Sequence, residues 1–195
     1  MRARRLAAGA GAVALVALAS AAAVRRGHAP GAPRFAADSL VLPEGVERWV
    51  LAGASLGLDY AEAGGTGRAG ASRAFHNVYI EPSAYDHYVR TGRFREKTMF
   101  AMTLHAPMEN VPPSREGLFE GDRLAVEMAV KDSDRYPGGW AYFSFGSGRP
   151  GARAAPLPSA ACQACHARHA ADDHVFVQFY PTLRPLSAAY GRRRP

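Results

Sequence analysis

The sequence predicts an α+β fold: a predominantly antiparallel β-sheet with short helices, closed by a C-terminal helix that displays a cysteine motif. Three observations predict it. Strand-like runs rich in Val, Phe, Tyr and Met recur at 73–80, 98–105, 124–131 and 140–145. Only turns or one short helical stretch separate them. Beyond residue 158, Ser159 can cap a short helix over the only two cysteines, Cys162 and Cys165.

In chain order, residues 1–23 stand apart. Arg2, Arg4 and Arg5 precede an uncharged run of Ala, Gly, Val and Leu, with Ala19, Ser20 and Ala21 as a small-residue cleavage site. That is the layout of a secretory signal peptide, with a membrane anchor as the alternative, because the run approaches the ~20 residues a helix needs to span a bilayer. Either way the rest is exported. Residues 24–40 are rich in Pro, Gly and Ala and read as a linker, so order should begin near Val41. The stretch 43–58 (PEGVERWVLAGASLGL) reads as a short helix packing Trp49 and Val50 inward, and 64–70 as a Gly-rich loop.

The first strand, 73–80 (RAFHNVYI), leads to a short helix at 82–90, where Pro82 suits the first turn and Gly92 the stop. The second strand is 98–105. Pro107, Pro112 and Pro113 make 106–121 a long loop. Over 124–131 (LAVEMAVK), Leu124, Val126, Met128 and Val130 alternate onto one face, leaving Ala125, Glu127 and Ala129 on the other. Pro137-Gly138-Gly139 turns the chain into 140–145 (WAYFSF), and 146–158 is a Gly/Pro/Arg connector. The apolar run 174–180 (HVFVQFY) fits helix or strand. The domain spans 41–186, with 187–195 as a basic tail.

With 48% hydrophobic residues, the chain can bury a core and is not a disordered segment. Losing residues 1–23 lowers the net charge from +7 to +4, and Arg192, Arg193 and Arg194 hold three of those charges in a solvated tail. No basic stripe interleaves with exposed aromatics, so nucleic-acid binding has no support.

Cys162-Gln163-Ala164-Cys165-His166 is C-x-x-C-H, the attachment motif of c-type haem. Thiols three residues apart share one face of a helical turn and can each form a thioether to one haem vinyl group. The next histidine is then held beneath the macrocycle, aimed at the iron. The rivals each lack a part. A zinc site needs four ligands, and crowding Cys162, Cys165, His166 and His169 into eight residues would distort the tetrahedron. A thioredoxin-like pair calls for a βαβ context, and a disulfide across two residues would be strained. One covalent haem c, with His166 as its metal ligand, is the reading.

The far side of the iron is open to several readings. Met99, Met102, Met108 and Met128, or His76, His87, His105, His169 and His174, could supply a sixth ligand, although a core Met or a surface His is the ordinary role of each. Glu127 interrupts an apolar strand between two alanines. By itself this reads as a solvent-facing residue near Lys131, with a proton acceptor over a haem pocket as the functional alternative.

The ordered blocks 75–85 (FHNVYIEPSAY), 91–94 (TGRF), 130–136 (VKDSDRY), 139–143 (GWAYF), C-x-x-C-H and 173–181 (DHVFVQFYP) resemble the cytochrome P-460 family, which includes cytochrome c′-beta. The resemblance covers about 41–186. It implies a periplasmic monohaem protein, commonly a homodimer, with an antiparallel β fold and a sheet face as the distal wall. It also implies Cys162 and Cys165 as thioether anchors and His166 as axial ligand of a five-coordinate haem. The lysine that members oxidising hydroxylamine cross-link to their porphyrin falls on Met102, which cannot make that link. Their distal acidic residue falls on Glu127, which moves Glu127 toward the pocket as a catalytic candidate. Phe75 and Phe100 are candidates for an aromatic cap.

The resemblance therefore favours a periplasmic cytochrome that binds nitric oxide or a similar small ligand at an open iron. Its rivals are an oxidoreductase acting on hydroxylamine or a related nitrogen compound, and an electron carrier with a Met or His sixth ligand. The sequence names no redox partner.

Overall fold

The structure, a computed structural model, describes residues 31–58 and 73–188. The leader 1–23, the loop 64–70 and Arg192–Arg194 lie outside the described residues. No helix among those described is long and apolar enough to cross a membrane.

The first strands among the described residues are β1 (Phe35–Ala36) and β2 (Ser39–Val41), short strands within the stretch read as a linker. A 3₁₀ turn at Val46–Arg48 leads into β3 (Val50–Leu56). The helix expected over 43–58 is thus a single turn followed by a strand. Its period-2 pattern is hidden because small residues, Ala52, Gly53 and Ala54, occupy its middle. Smallness is required there: a Cβ on Gly53 would press on the backbone of Phe179 and Tyr180.

β4 (Phe75–Ile80) leads into α1 (Pro82–Thr91), whose ends follow the sequence. Pro82 opens it, and the Glu81 carboxylate accepts the Ser83 and Ala84 amides at 3.0 and 2.8 Å. Gly92 closes it in the left-handed conformation, at φ 64°. Ala84 and Tyr88, four residues apart, are its buried positions.

β5 (Met99–Glu109) and β6 (Leu118–Lys131) form a long hairpin where 106–121 had read as loop. Pro107 survives inside a strand because the register shifts beside it, between His105 and Pro107. The sheet ends at β7 (Trp140–Ser144). Its order, β3-β4-β5-β6-β7, is sequential and antiparallel. β8 (Arg153–Ala154) joins β1 and β2 in a small second sheet. Last comes α2 (Gln163–His169), followed by 3₁₀ turns at Val177–Phe179 and Arg184–Leu186.

The alternation expected in β6 places Val126, Met128 and Val130 in one buried layer with Met99, Ala101, Ala141 and Phe143, roofed by Leu40, Leu42 and Val46. Leu124, expected to join them, is 49% exposed because β7 pairs β6 only from Glu127 onward. The other sheet face carries a second layer: Ala52, Val78, Ile80, Phe100, Trp140 and Tyr142, packed against α1 and the C-terminal segment.

Candidate haem-attachment site

α2 carries the C-x-x-C-H motif across the second layer. Its N-cap position is Cys162, and no side chain caps it. Ser159 contributes its carbonyl, which accepts the Ala164 amide at 3.0 Å, and not the side-chain cap expected of it. The turn before β7 makes room for the helix: a Cβ on Gly138 would collide with the Gln163 side-chain amide.

Both cysteines are free and half-buried. Cys162 packs against the layer that holds Met102 and Phe100. Burial pushes its thiol above the usual range, and the Glu127 carboxylate and Cys165 push it further. A disulfide oxidoreductase needs the opposite, a thiol lowered into reactivity. Among the described residues no three His, Cys, Asp or Glu side chains cluster closely enough to hold a metal ion.

His166 is the best-defined group of the site. Its ring lies 4.5 Å from that of Tyr142 on β7 and 4.6 Å from that of Phe176, centroid to centroid. Its Nδ1 stands 2.8 Å from the carbonyl oxygen of His174. A carbonyl can only accept, so Nδ1 carries the proton and donates, leaving the Nε2 lone pair free. Burial lowers the ring's pKa, partly offset by that hydrogen bond, and so keeps the imidazole neutral. A neutral imidazole with its distant nitrogen unprotonated is the form that ligates iron.

The His174 carbonyl is itself held firmly. Asp173 and His174 both have positive φ, 40° and 61°. They are the centre of a tight turn closed by the Val175 amide on the Asp172 carbonyl at 2.7 Å. Asp173 accepts from Lys131 Nζ at 2.6 Å and from the Trp140 indole at 3.2 Å. Asp172 accepts from the Tyr88 hydroxyl at 3.2 Å and from Ser187 at 2.7 Å. The turn thus joins α1, β6, β7 and the C-terminal segment behind His166. In the sequence Asp173 stood out only as the first residue of the resemblance block 173–181. The Asp172-Asp173 pair directly before the apolar run 174–180 was the available turn signal.

The sheet face beside Cys162 holds the other predicted residues. Met102 on β5 stands opposite Val78 on β4 and Glu127 on β6. It packs against the second layer and is half-buried. Glu127 makes no hydrogen bond or ion pair among the described residues, and burial raises its carboxyl pKa above the ordinary value. Lys131, expected to flank it, is turned to Asp173 and the Phe94 carbonyl. Phe100 lies two residues before Met102 on the same face, against Phe94, Trp140 and Tyr180. Phe75 does not join it. Alternation from Val78 and Ile80 puts Phe75 on the opposite face, so it is not a cap for this site.

The residues fit a covalent haem c: two unpaired thiols, an oriented neutral imidazole, and an apolar aromatic wall. A cavity of about 490 Å³ bordered by Arg34, Trp49, Glu81 and Met99 lies apart from the motif.

Comparison with known proteins gives the family. The model of the cytochrome P460 family matches residues 43–177, most of the chain. No curated protein matches significantly. The chain belongs to the cytochrome P460 family and is, on that ground, a haem-binding cytochrome.

Proposed function

We propose that this cytochrome P460 family member holds one haem c through thioethers from Cys162 and Cys165, with His166 as axial ligand, and binds nitric oxide or a similar small ligand on the opposite face. The observation that carries the reading is the 2.8 Å hydrogen bond from His166 Nδ1 to the His174 carbonyl, which leaves Nε2 to the iron. When bound, the haem supplies an iron centre able to take a small ligand or exchange an electron.

The chain's own residues do the rest. The Asp172–Val175 turn fixes the imidazole's rotation and, by accepting its Nδ1 proton, raises its basicity as a ligand. Phe100, Trp140, Tyr142 and Val78 keep water from that side of the sheet. Met102, in the place of a cross-linking lysine, adds a neutral thioether. Export to the periplasm and pairing into a homodimer belong to the same proposal. The first rests on residues 1–23, the second on the family resemblance.

A second reading, oxidation of hydroxylamine or a related nitrogen compound, is favoured by one observation. Glu127 is a desolvated carboxylate without a partner, suited to take a proton from a bound amine.

The experiment is the optical spectrum of the holoprotein, ferric and ferrous, with and without nitric oxide. High-spin bands that shift on adding the gas are expected. A low-spin spectrum that ignores the gas would instead mark an electron carrier with a sixth protein ligand. Steady turnover of hydroxylamine with an electron acceptor would move the assignment to the second reading.

A further inference from the structure

The sheet face that holds Met102 and Glu127 carries a third polar or polarisable residue. His76 on β4 pairs with Ser55 on β3 and Leu104 on β5. It lies two residues before Val78, and Val78 and Ile80 belong to the layer shared with Phe100, Met102 and Cys162. Alternation along β4 therefore puts His76 on that same face. Met102 is its diagonal neighbour across β4 and β5, a relation that sets Cα atoms roughly 7–8 Å apart, within reach of a long side chain. Glu127 is directly opposite Met102 on the other flank. An imidazole and a carboxylate thus bracket one thioether.

His76 is half-buried, and burial lowers its pKa, so the ring is neutral. Its Nδ1 is closed to solvent and has no hydrogen-bond partner. Such a group is costly to leave unpaired, and native structures rarely leave one without a reason. A buried orphan acceptor is tolerated better than a buried orphan N–H. The single proton of the neutral ring therefore belongs on Nε2, at the tip that projects from the sheet. The other orphaned polar atoms lie elsewhere: Thr103 and Tyr136 belong with the opposite face, and Tyr142 and His174 stand on the His166 side, which they meet through a ring and a backbone carbonyl.

We propose that His76 is a ligand-contacting residue of the open haem face, donating a hydrogen bond from Nε2 to a small ligand that accepts one. The ligand class is a compact anion or a nitrogen–oxygen species with an accessible lone pair, held between His76 and Glu127 over Met102. This rests on the reading of a haem with an open face.

The test titrates ferric holoprotein with fluoride, a strong hydrogen-bond acceptor, and ferrous holoprotein with carbon monoxide, a poor one. His76→Leu should weaken fluoride binding about tenfold, the loss of one hydrogen bond, while changing carbon monoxide affinity less than about twofold. His76→Gln keeps a donor and should retain fluoride affinity within about threefold. Equal loss of both ligands in His76→Leu would mean a packing role and overturn the proposal, as would no change in fluoride binding. Wild-type protein that binds neither ligand would overturn the open-face reading itself. A low-spin wild-type spectrum turned high-spin by His76→Leu would make His76 an iron ligand, contrary to the proposal.

Discussion

From the same strands, the central sheet turns Val126, Met128, Val130 and Phe143 to one side and Met102, Glu127, Tyr142 and His76 to the other. The first set is sealed: Val126, Val130 and Phe143 are 0% exposed. The second holds an unpartnered carboxylate, an orphaned imidazole nitrogen and a phenol whose pKa burial drives far up. Alternation alone separates the two chemistries, one residue apart along each strand. Burial without partners is a stability cost. Thr103 and Tyr136 carry it on the packed face too, but on the site face Glu127 and Tyr142 lie close to Cys162 and His166, where a bound group would supply what the chain does not.

Variants that break this contrast should rank as follows. Replacing both Cys162 and Cys165 by Ala should abolish covalent haem completely, read as loss of haem stain on a denaturing gel; a retained band would contradict attachment there. On the packed face, Phe143→Ala should cost about 3–5 kcal/mol in urea unfolding. Met102→Ala on the site face should cost less than half of that, since Met102 is only half-buried. Equal costs would erase the difference between the faces.

Asp173→Ala removes the acceptor for Lys131 and Trp140 and loosens the carbonyl behind His166. The stability loss should be about 1–2 kcal/mol, because the carboxylate is partly exposed. The reduction potential should move as well, which a purely structural ion pair would not produce. Glu127→Gln gives the smallest effect. A folded-state carboxyl pKa raised above its unfolded value means the native protein binds the extra proton, so wild-type stability falls as pH rises between those two values and then levels off. The variant escapes that fall. Thermal melts should coincide at pH below the ordinary carboxyl value and separate above it, with Gln the more stable; the reverse order would place a cation beside Glu127.

Much of this was legible in the residues. The alternation of LAVEMAVK, the Pro82 and Gly92 boundaries of α1 and the spacing of Cys162, Cys165 and His166 each report a local requirement, and local requirements survive folding unchanged. β3 was not legible, because Ala52, Gly53 and Ala54 are small to admit the C-terminal segment and carry no hydrophobic signal. The β5–β6 hairpin hid behind Pro107, which a register shift accommodates. His76 stood in the sequence only as one of five histidines that could reach the iron, and nothing there set it apart from the others. Which face it takes depends on the pairing of β4 with β5, and one register step would reverse it.

The electron paramagnetic resonance spectrum of the ferric holoprotein at neutral pH tests the haem with His166 on one side and an open sheet-facing side on the other. The account predicts a high-spin signal that persists in Met102→Ala and is altered by His166→Ala. A low-spin signal from the wild-type protein would show a second protein ligand on the iron and contradict it.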